Sequence, residues 1–378
     1  MTLKKSKKNV FLLGLSSLFN DLGSEMIAPL IPLYISLLGG GGIAIGLVSG
    51  LREGLSSVFK ILGGWISDLK GKRKMFVFWG YLISTLFKFM LFFANSWQIL
   101  ITFFSLERFG KLRDAPRDAI IAYSKKERGR NFGLHQMFDA SGKIGGTIIV
   151  IILYLVFNSE FKTMFLIAGA LASLSLIPLF FVYEPKIKSA SFSLWQGIHE
   201  LNRKLKYFIF VSCIFTLANF GLSMFMIVRA KEVTGSTLMA LILYTIFHII
   251  FALLVIYAGK WADHVGKKKV LLWGYFLFFI VSVIFIYAQE LVLLTLAFLI
   301  YGLVYATTQA NQKALVADLS GEHKGTALGA YHAFTGLVNI PAGLIAGILW
   351  DISYQIMFIY LAVIAVISIV LLMFVREK

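Results

Sequence analysis

Ionisable side chains interrupt the long apolar runs in the first half of this chain. The first run contains Asp21 and Glu25, and the second contains Arg52 and Glu53. A charged side chain at the centre of a bilayer costs about 3 kcal/mol, so the few that occur there commonly serve proton relays and substrate pathways. Carboxylates next to fixed cations can bind and release protons, and this is the chemistry that the four residues predict.

Further candidates follow in the fourth and fifth apolar runs. With a rise of about 1.5 Å per residue, charges from four different runs reach similar depths, so we predict one shared polar site near the midplane. The third run contributes Lys88, which is not in this set. The candidates for proton coupling or substrate binding are Asp21, Glu25, Arg52, Glu53, Glu107, Arg108, Lys111, Arg113, His135, Asp139 and Lys143.

The spacing of these candidates predicts shared helix faces, because residues four apart lie one above the other on a helix. The sets with this spacing are Asp21 with Glu25, Glu107 with Lys111, and His135 with Asp139 and Lys143. We expect many of the opposite charges to pair. Ion pairs that only hold helices together are the alternative interpretation, although apolar packing would stabilise the helices equally well.

The composition places these residues in a membrane protein. Apolar residues make up 58% of the 378 residues and charged residues 15%, whereas a soluble domain has about 25% charged residues. One span takes roughly 20 apolar residues, so we predict an all-α integral membrane protein with about 12 transmembrane helices. The predicted spans are 9–37, 43–67, 74–94, 97–122, 129–157, 162–183, 205–230, 237–262, 268–288, 291–317, 325–349 and 354–375.

Positive charge predicts the orientation of these spans. The net charge is +17, and most Lys and Arg residues lie in short loops on one side of the apolar runs, which is the positive-inside pattern. We therefore expect both termini in the cytoplasm and no nucleic acid partner. Lys60, Arg113, Arg117 and Asp118 lie near the cytoplasmic ends, where long side chains can reach the interface. We predict a multi-pass protein of the cell membrane without a cleavable signal peptide.

Glycine and proline residues predict how some spans pack. Gly142, Gly145 and Gly146 would let the fifth span approach a neighbouring helix closely. Pro29, Pro32 and Pro341 each remove a backbone hydrogen bond and should bend the first and eleventh spans.

A loop sequence recurs in the second half of the chain. The first copy has Gly64, Asp68 and Gly71 followed by Lys72-Arg73-Lys74, and the second has Gly259, Asp263 and Gly266 followed by Lys267-Lys268-Lys269. Beyond the loops, the matching segments are Trp79-Gly80-Tyr81 with Trp273-Gly274-Tyr275, Ala119-Ile120 with Ala314-Leu315, and Gln136 with His332. Such a repeat implies two copies of one structural unit. We predict halves at 1–184 and 205–378, joined by a cytoplasmic linker at 185–204 that contains a short surface helix.

The repeated loop resembles the signature of the major facilitator superfamily, in which it lies between the second and third spans and recurs between the eighth and ninth. The resemblance covers the whole chain and implies two six-helix halves that work by alternating access. Within the family the chain looks most similar to drug-type proton antiporters. The resemblance also implies a cytoplasmic gate, held shut by Asp68 and Arg73. The motif residues of the gate are Gly64, Asp68, Gly71, Arg73, Lys74, Gly259, Asp263 and Gly266.

We therefore predict a secondary transporter, with proton-coupled efflux of small amphipathic organic compounds as the first hypothesis. The second half has few buried charges and many Phe and Tyr residues, which predicts an apolar, aromatic wall for the substrate. The predicted proton carriers are Asp21, Glu25, Glu53 and Asp139, with Arg108 as the neighbouring cation. The alternative is uptake or export of an organic anion bound by Arg52, Arg108, Arg113 and Lys143.

Other classes of protein fit the sequence less well. An intramembrane enzyme could use His135 and Asp139 as an acid–base pair, but the chain has no nucleophile motif and no His-Glu-x-x-His sequence. The absence of a Gly-x-x-x-x-Gly-Lys-Ser/Thr loop excludes a nucleotide-driven pump, while a passive channel stays open. The single Cys213 excludes an internal disulfide and a Cys-based metal site. We expect no metal or cofactor, and a monomer whose partners are the lipid bilayer, a small-molecule substrate and protons or another coupling ion.

Overall fold

The computed structural model describes residues 3–122, 128–157, 160–184, 201–320 and 324–375. Over these residues the chain is helical and has no strand, so the predicted all-α class is confirmed. The chain divides into two compact units, residues 1–39 with 55–192 (unit 1) and residues 40–54 with 193–378 (unit 2). The predicted linker helix falls at residues outside the described ranges.

Unit 1 is built around α1, which packs against α7 and α8, while α4 packs against α8 and a 3-10 segment. Its helices are α1 (Leu3–Ile27), α2 (Leu30–Leu37), the second half of α3 (Gly42–Lys70), α4 (Arg73–Met90), α5 (Trp97–Glu107), α6 (Asp114–Ile121), α7 (Arg128–Phe157), α8 (Phe161–Ser173) and α9 (Leu176–Phe180). The 3-10 segments are Leu91–Phe93 and Arg108–Arg113.

Unit 2 repeats this packing. Its helices are the first half of α3, α10 (Arg203–Ala218), α11 (Ser223–Thr234), α12 (Thr237–Val265), α13 (Lys267–Tyr287), α14 (Leu291–Leu319), α15 (Lys324–Ile352) and α16 (Tyr354–Met373). Here α10 packs against α15 and α16, as α1 packs against α7 and α8, and α13 packs against α16, as α4 packs against α8. Equivalent pairings in both units are what two copies of one structural unit require.

Each predicted span falls on one of these helices or on consecutive ones. Within the described ranges, nine helical stretches are long and apolar enough to cross a membrane. The first, second and fourth predicted spans are not among the nine. These spans carry most of the charged candidates, and the fourth is divided by the Arg108–Arg113 segment. That all twelve cross the membrane stays a prediction.

Proline divides the first predicted span, as expected. Helix α1 ends at Ile27 and α2 begins at Leu30, with Pro29 between them. Pro341 lies inside α15, which continues as one helix to Ile352, and a bend there stays a prediction.

Glycine brings α7 against α1, which confirms the predicted close approach. A Cβ atom at Gly142 would lie 2.7 Å from the carbonyl oxygen of Leu18, and one at Gly146 would lie 2.5 Å from that of Leu22. The two glycines are four residues apart, so they form one stripe of small residues on which the backbone of α1 lies.

A second glycine stripe, which the sequence analysis missed, lies on the first half of α3. Its members, Gly42, Gly46, Gly50 and Gly54, repeat every four residues, and we call them the glycine ladder. They contact α15: a Cβ at Gly42 would lie 2.6 Å from the carbonyl oxygen of Gly347, and one at Gly50 would lie 2.5 Å from that of Asn339. Asp351, near the end of α15, accepts hydrogen bonds from the backbone N–H groups of Gly42 and Ile43 at the start of α3.

Candidate functional site

A buried ionic network joins α1, α4 and α5 in the middle of unit 1. Nζ of Lys88 lies 3.3 Å from Oε1 of Glu107 and also donates to Ser84 (2.7 Å) and Asn20 (2.9 Å). Ser84 donates to Glu107 as well, and Arg108 forms an ion pair with the other carboxylate oxygen of Glu107. All five side chains are at least 94% buried. Glu107 is therefore held between two cations, as a buried carboxylate requires.

The predicted shared face of Glu107 and Lys111 is wrong. That prediction assumed a continuous α-helix, but Arg108–Arg113 is a 3-10 segment, in which residues three apart lie on the same side. Lys111 instead lies 3.7 Å from Asp114, three residues later. Glu107 contacts Ser84 and Lys88 on α4, and the backbones are close there, since a Cβ at Gly110 would lie 2.7 Å from the carbonyl oxygen of Gly80.

Arg113 does not reach the membrane interface, contrary to the sequence-based expectation. It is 2% exposed, donates to the carbonyl oxygen of Gly110 (2.9 Å), and stacks over the ring of Tyr81 at 4.4 Å. Arg117, one turn later, donates to Asp118 (3.0 Å) and to the hydroxyl of Ser17 on α1 (3.4 Å).

Asp21 and Glu25 share one face of α1, as predicted, and this face meets α7. A Cβ at Gly142 would lie 3.0 Å from the Cβ of Asp21, and a Cβ at Gly146 would lie 3.1 Å from that of Glu25. Asp139 lies one turn before Gly142, so Asp21 is within electrostatic range of Asp139 and also of Lys143 and Lys111. Two carboxylates from different helices thus face a common region.

His135 and Asp139 form the pair that their spacing predicts. Nδ1 of His135 lies 3.4 Å from Oδ2 of Asp139, four residues further along α7. The imidazole is 3% exposed, and its Nε2 has no hydrogen-bond partner among the described residues. Asp139 is 27% exposed and lies near Arg117, so the carboxylate has both a titratable and a permanent cation beside it.

Arg52 and Glu53 belong to the part of α3 that packs in unit 2. Nε of Arg52 lies 3.6 Å from Oε1 of Glu53, and Glu53 is 48% exposed. In the same unit Glu53 is within electrostatic range of Tyr301, whose hydroxyl donates to Asn219 at 2.9 Å. Phe247 packs against Tyr301, with ring centroids 5.1 Å apart. Phe247 on α12 and Tyr301 on α14 are thus two of the aromatic residues that the sequence predicts for a substrate wall in the second half.

Unit 2 also contains a neutral hydrogen-bonded set. Gln312 joins two phenols: its Nε2 donates to Tyr275 at 3.0 Å, and its Oε1 accepts from Tyr331 at 2.9 Å. Phe215 stacks on Tyr275 with ring centroids 3.7 Å apart and also meets Phe278 at 5.3 Å.

In the first copy of the repeated loop, the charged residues contact each other and residues 180–184 of unit 1. Gly71 has a φ of 63°, which favours glycine, and ends α3. Arg73 then turns back to Asp68, with 2.5 Å between NH2 and Oδ1. The backbone N–H groups of Arg73 and Lys74 donate to the carboxylate of Glu184, and Nζ of Lys74 donates to the carbonyl oxygen of Phe180 (3.0 Å).

The second copy keeps the turn and loses the ion pair. Gly266 has a φ of 97°, and Lys268 donates to the carbonyl oxygen of Met373, the counterpart of the contact between Lys74 and Phe180. Lys267 pairs with Asp318, and Asp263 has no ion-pair partner in the described part of the chain. Gly64 packs 3.1 Å from Ala115, measured from a Cβ built on it, whereas Gly259 faces open space.

Several residues of these networks were not candidates from sequence. Asn20, Ser84 and Ser17 are ordinary small polar residues, and no spacing distinguishes them from other polar residues in apolar runs. Lys88 and Arg117 could have been chosen as site residues from the sequence, because each is a charged residue within an apolar run. The glycine ladder was readable too, from its strict four-residue period.

The whole chain matches the family model described as "Major Facilitator Superfamily", over residues 13–323 and 208–378. The chain belongs to the major facilitator superfamily. An uncharacterised MFS-type transporter of Methanocaldococcus jannaschii is 44% identical, over 98% of this chain and 96% of that protein. The quinolone resistance protein NorA of Staphylococcus aureus is 24% identical, over 92% of this chain and 91% of NorA.

Solved structures agree with the fold of this facilitator. A variant of the nucleoside transporter NupG superposes with a TM-score of 0.82 at 17% identity, covering 97% of this chain and 99% of NupG. As a member of the major facilitator superfamily, the protein is a multi-pass membrane transporter of a small-molecule substrate and not an enzyme. The roles of the individual site residues in this facilitator stay predictions.

Proposed function

We propose that the protein exports small amphipathic organic compounds in exchange for protons. The proposal depends mainly on one observation: Asp21 on α1 and Asp139 on α7 are carboxylates within electrostatic range of each other, near the glycine contact between these helices. Two neighbouring carboxylates repel each other when both are ionised, so the pair gains from binding one proton. Asp139 is also partly exposed, which gives the proton a path to water.

The cations around the pair fit a site that alternates between a proton and a charged substrate. Lys143, Lys111 and Arg117 lie near these two carboxylates, so the loss of a proton leaves negative charge that is partly compensated. Glu107 differs, because Lys88 and Arg108 hold it in a fixed network. We assign Glu107 a structural role and keep Asp21, Glu25, Glu53 and Asp139 as the proton carriers.

The relatives support an amphipathic organic substrate. The name of NorA describes resistance to quinolones, which are aromatic and amphipathic, and its similarity to this chain extends over most of both proteins. The half-exposed carboxylate of Glu53 and the aromatic side chains of α12 and α14 would suit such a compound, because apolar walls with a few polar groups bind small organic ligands.

The anion alternative has less support from the contacts of its cations. Arg113 donates to backbone carbonyl groups, Arg108 is paired with Glu107, and Arg52 is paired with Glu53. Each of these three guanidinium groups is therefore already engaged in part by the protein.

The test is transport into proteoliposomes with ethidium and with norfloxacin as probes. We expect accumulation against a gradient only when an imposed pH gradient is present. Asp21→Asn or Asp139→Asn should lose this driven transport and keep exchange of labelled for unlabelled probe, which needs no net proton movement. Driven transport that does not depend on the pH gradient would contradict proton coupling.

A matched control is Glu232→Gln, which lies on α11, is 43% exposed and pairs with Arg229. Its loss should leave driven transport close to the wild-type rate. If a panel of monocarboxylates and organic phosphates is accumulated while ethidium and norfloxacin are not, the anion alternative replaces the present proposal.

A further inference from the structure

The two units hold different chemistry at positions that the internal repeat makes equivalent. In the aligned segments Tyr81 corresponds to Tyr275, Arg117 to Gln312, and His135 to Tyr331. The structure supports this alignment, since Gly80 packs on Arg113 in unit 1 and Gly274 packs on Thr308 at the equivalent place in unit 2.

In unit 2 these positions form a neutral hydrogen-bonded set. Gln312 bridges Tyr275 and Tyr331 with distances of 3.0 and 2.9 Å, so the amide is satisfied on both sides. Thr335, which corresponds to Asp139, donates to a carbonyl oxygen of its own helix at 2.7 Å. No member of this set changes its charge near neutral pH.

In unit 1 two of these three positions hold ionisable side chains, Arg117 and His135, and the third is again a tyrosine. Arg117 donates to Asp118 and Ser17, and His135 contacts Asp139 at 3.4 Å. Because unit 2 packs the equivalent helices with a neutral set, the packing does not require these charges. Their presence in unit 1 needs a reason other than helix packing.

We propose that His135 takes the transported proton from Asp139 and returns it, with Arg117 as the positioning residue of this pair. The inference rests on the proposed function and names the residues of unit 1 that unit 2 lacks.

The proton step follows from the geometry of the pair. The O–H bond at Oδ2 of protonated Asp139 breaks, and the proton forms an N–H bond at Nδ1 of neutral His135. The reverse transfer returns the proton to Oδ2 of Asp139, the more exposed side chain of the pair (27%), from which the proton leaves the site. Arg117 compensates the carboxylate charge that remains on Asp139.

Other charged groups also face this pair and must be held constant in a test. The helices packed against α7 are α1 and α6. The titratable and charged groups near the pair are Asp21 on α1, Tyr81 on α4, Lys111 and Arg113 on the 3-10 segment, Asp114 and Asp118 on α6, and Lys143 on α7.

The experiment transplants the neutral set of unit 2 into unit 1. The double variant Arg117→Gln/His135→Tyr is reconstituted beside the wild type and assayed with ethidium, with and without an imposed pH gradient. We expect loss of pH-driven accumulation and retention of ethidium exchange. The control Tyr331→Phe changes the equivalent site of unit 2 and should keep the wild-type ratio of driven transport to exchange.

Each outcome decides the matter. If the double variant keeps driven transport, the inference is overturned. If the double variant loses both activities, the single variant His135→Gln is assayed, because its amide can still reach Asp139 but cannot take up a proton. Loss of pH-driven transport with retention of ethidium exchange supports the inference. Any other result for this variant overturns the inference. If the wild type itself shows no pH-driven accumulation of ethidium, the proposed function fails, and the inference fails with it.

Discussion

At the scale of single residues, the burial of the charges separates two kinds of site. Glu107, with Lys88 and Arg108, is almost completely enclosed and is paired with both of these cations. Asp139 is partly exposed and has a titratable partner in His135. A carboxylate of the first kind holds helices in place, and one of the second kind can change its protonation during a transport cycle.

Arg108→Ala should therefore damage the protein itself. The substitution leaves Glu107 with Lys88 as its remaining cation, and removal of one partner from a buried ion pair costs about 3–5 kcal/mol. We expect a clearly lower melting temperature in detergent together with reduced transport. Asp139→Asn is the comparison and should melt close to the wild type. Equal melting temperatures for Arg108→Ala and the wild type would remove the structural role.

Asp68→Asn should slow transport and have little effect on stability. The pair with Arg73 is 45% exposed on the aspartate side, and such pairs contribute about 0–1 kcal/mol. The matched control is Asp263→Asn, which has no ion-pair partner in the described ranges and should have a smaller effect. Turnover in proteoliposomes and melting curves check both variants, and an unchanged turnover of Asp68→Asn would count against the gate.

At the scale of helices, the contact between α1 and α7 sets the position of the carboxylate pair. Gly142 and Gly146 have no side chains, so the backbone of α1 can lie directly on α7. Any side chain at Gly142 would push against Leu18 and Asp21.

Gly142→Val should separate the two helices and weaken proton coupling. We expect a lower melting temperature and a loss of pH-driven transport that exceeds the loss of exchange. Gly133→Ala on the same helix is the control, because nothing lies within 4 Å of a Cβ there. Alanine stabilises a helix by up to about 1 kcal/mol relative to glycine, so the control should melt no lower than the wild type. Similar losses in both variants would show that the contact has no special role.

Helix-scale features also show what the sequence could predict. The positions of the helices follow from apolar runs of sufficient length, and the contact at Gly142 follows from glycine spacing. The 3-10 segment at Arg108–Arg113 does not, because no local signal distinguishes it from a continuing α-helix. As a result, the partners of Glu107 and Lys111 could not be predicted from spacing, since they depend on the backbone that carries them.

At the scale of the whole molecule, two units with equivalent packing carry unequal chemistry. Unit 1 has ionic networks where unit 2 has aromatic and neutral contacts; for example, Asn20 and Ser84 in unit 1 correspond to Phe215 and Phe278 in unit 2. The repeat was readable from the sequence, and so was the asymmetry of charge. The grouping of Arg52 and Glu53 with unit 2 was not, because it depends on which half of α3 packs with which helices.

The orientation of the molecule is tested with tags. A tag at the N-terminus, one at Ser189 and one after Lys378 should all be protected in intact cells, because Lys and Arg residues flank them. A tag within residues 39–42 should be accessible from outside. Opposite locations for the two termini would contradict the arrangement of twelve spans.

The glycine ladder of α3 has a thermodynamic consequence. Its contact with α15 is formed mainly by backbone, so few side-chain rotamers become ordered when the two surfaces meet and few are released when they separate. Such a contact loses little conformational entropy on closing, and its strength comes from dispersion and weak Cα–H···O contacts. The first half of α3 can therefore bind and leave α15 at a small entropic cost, whereas a Leu-rich surface would have to order its side chains each time.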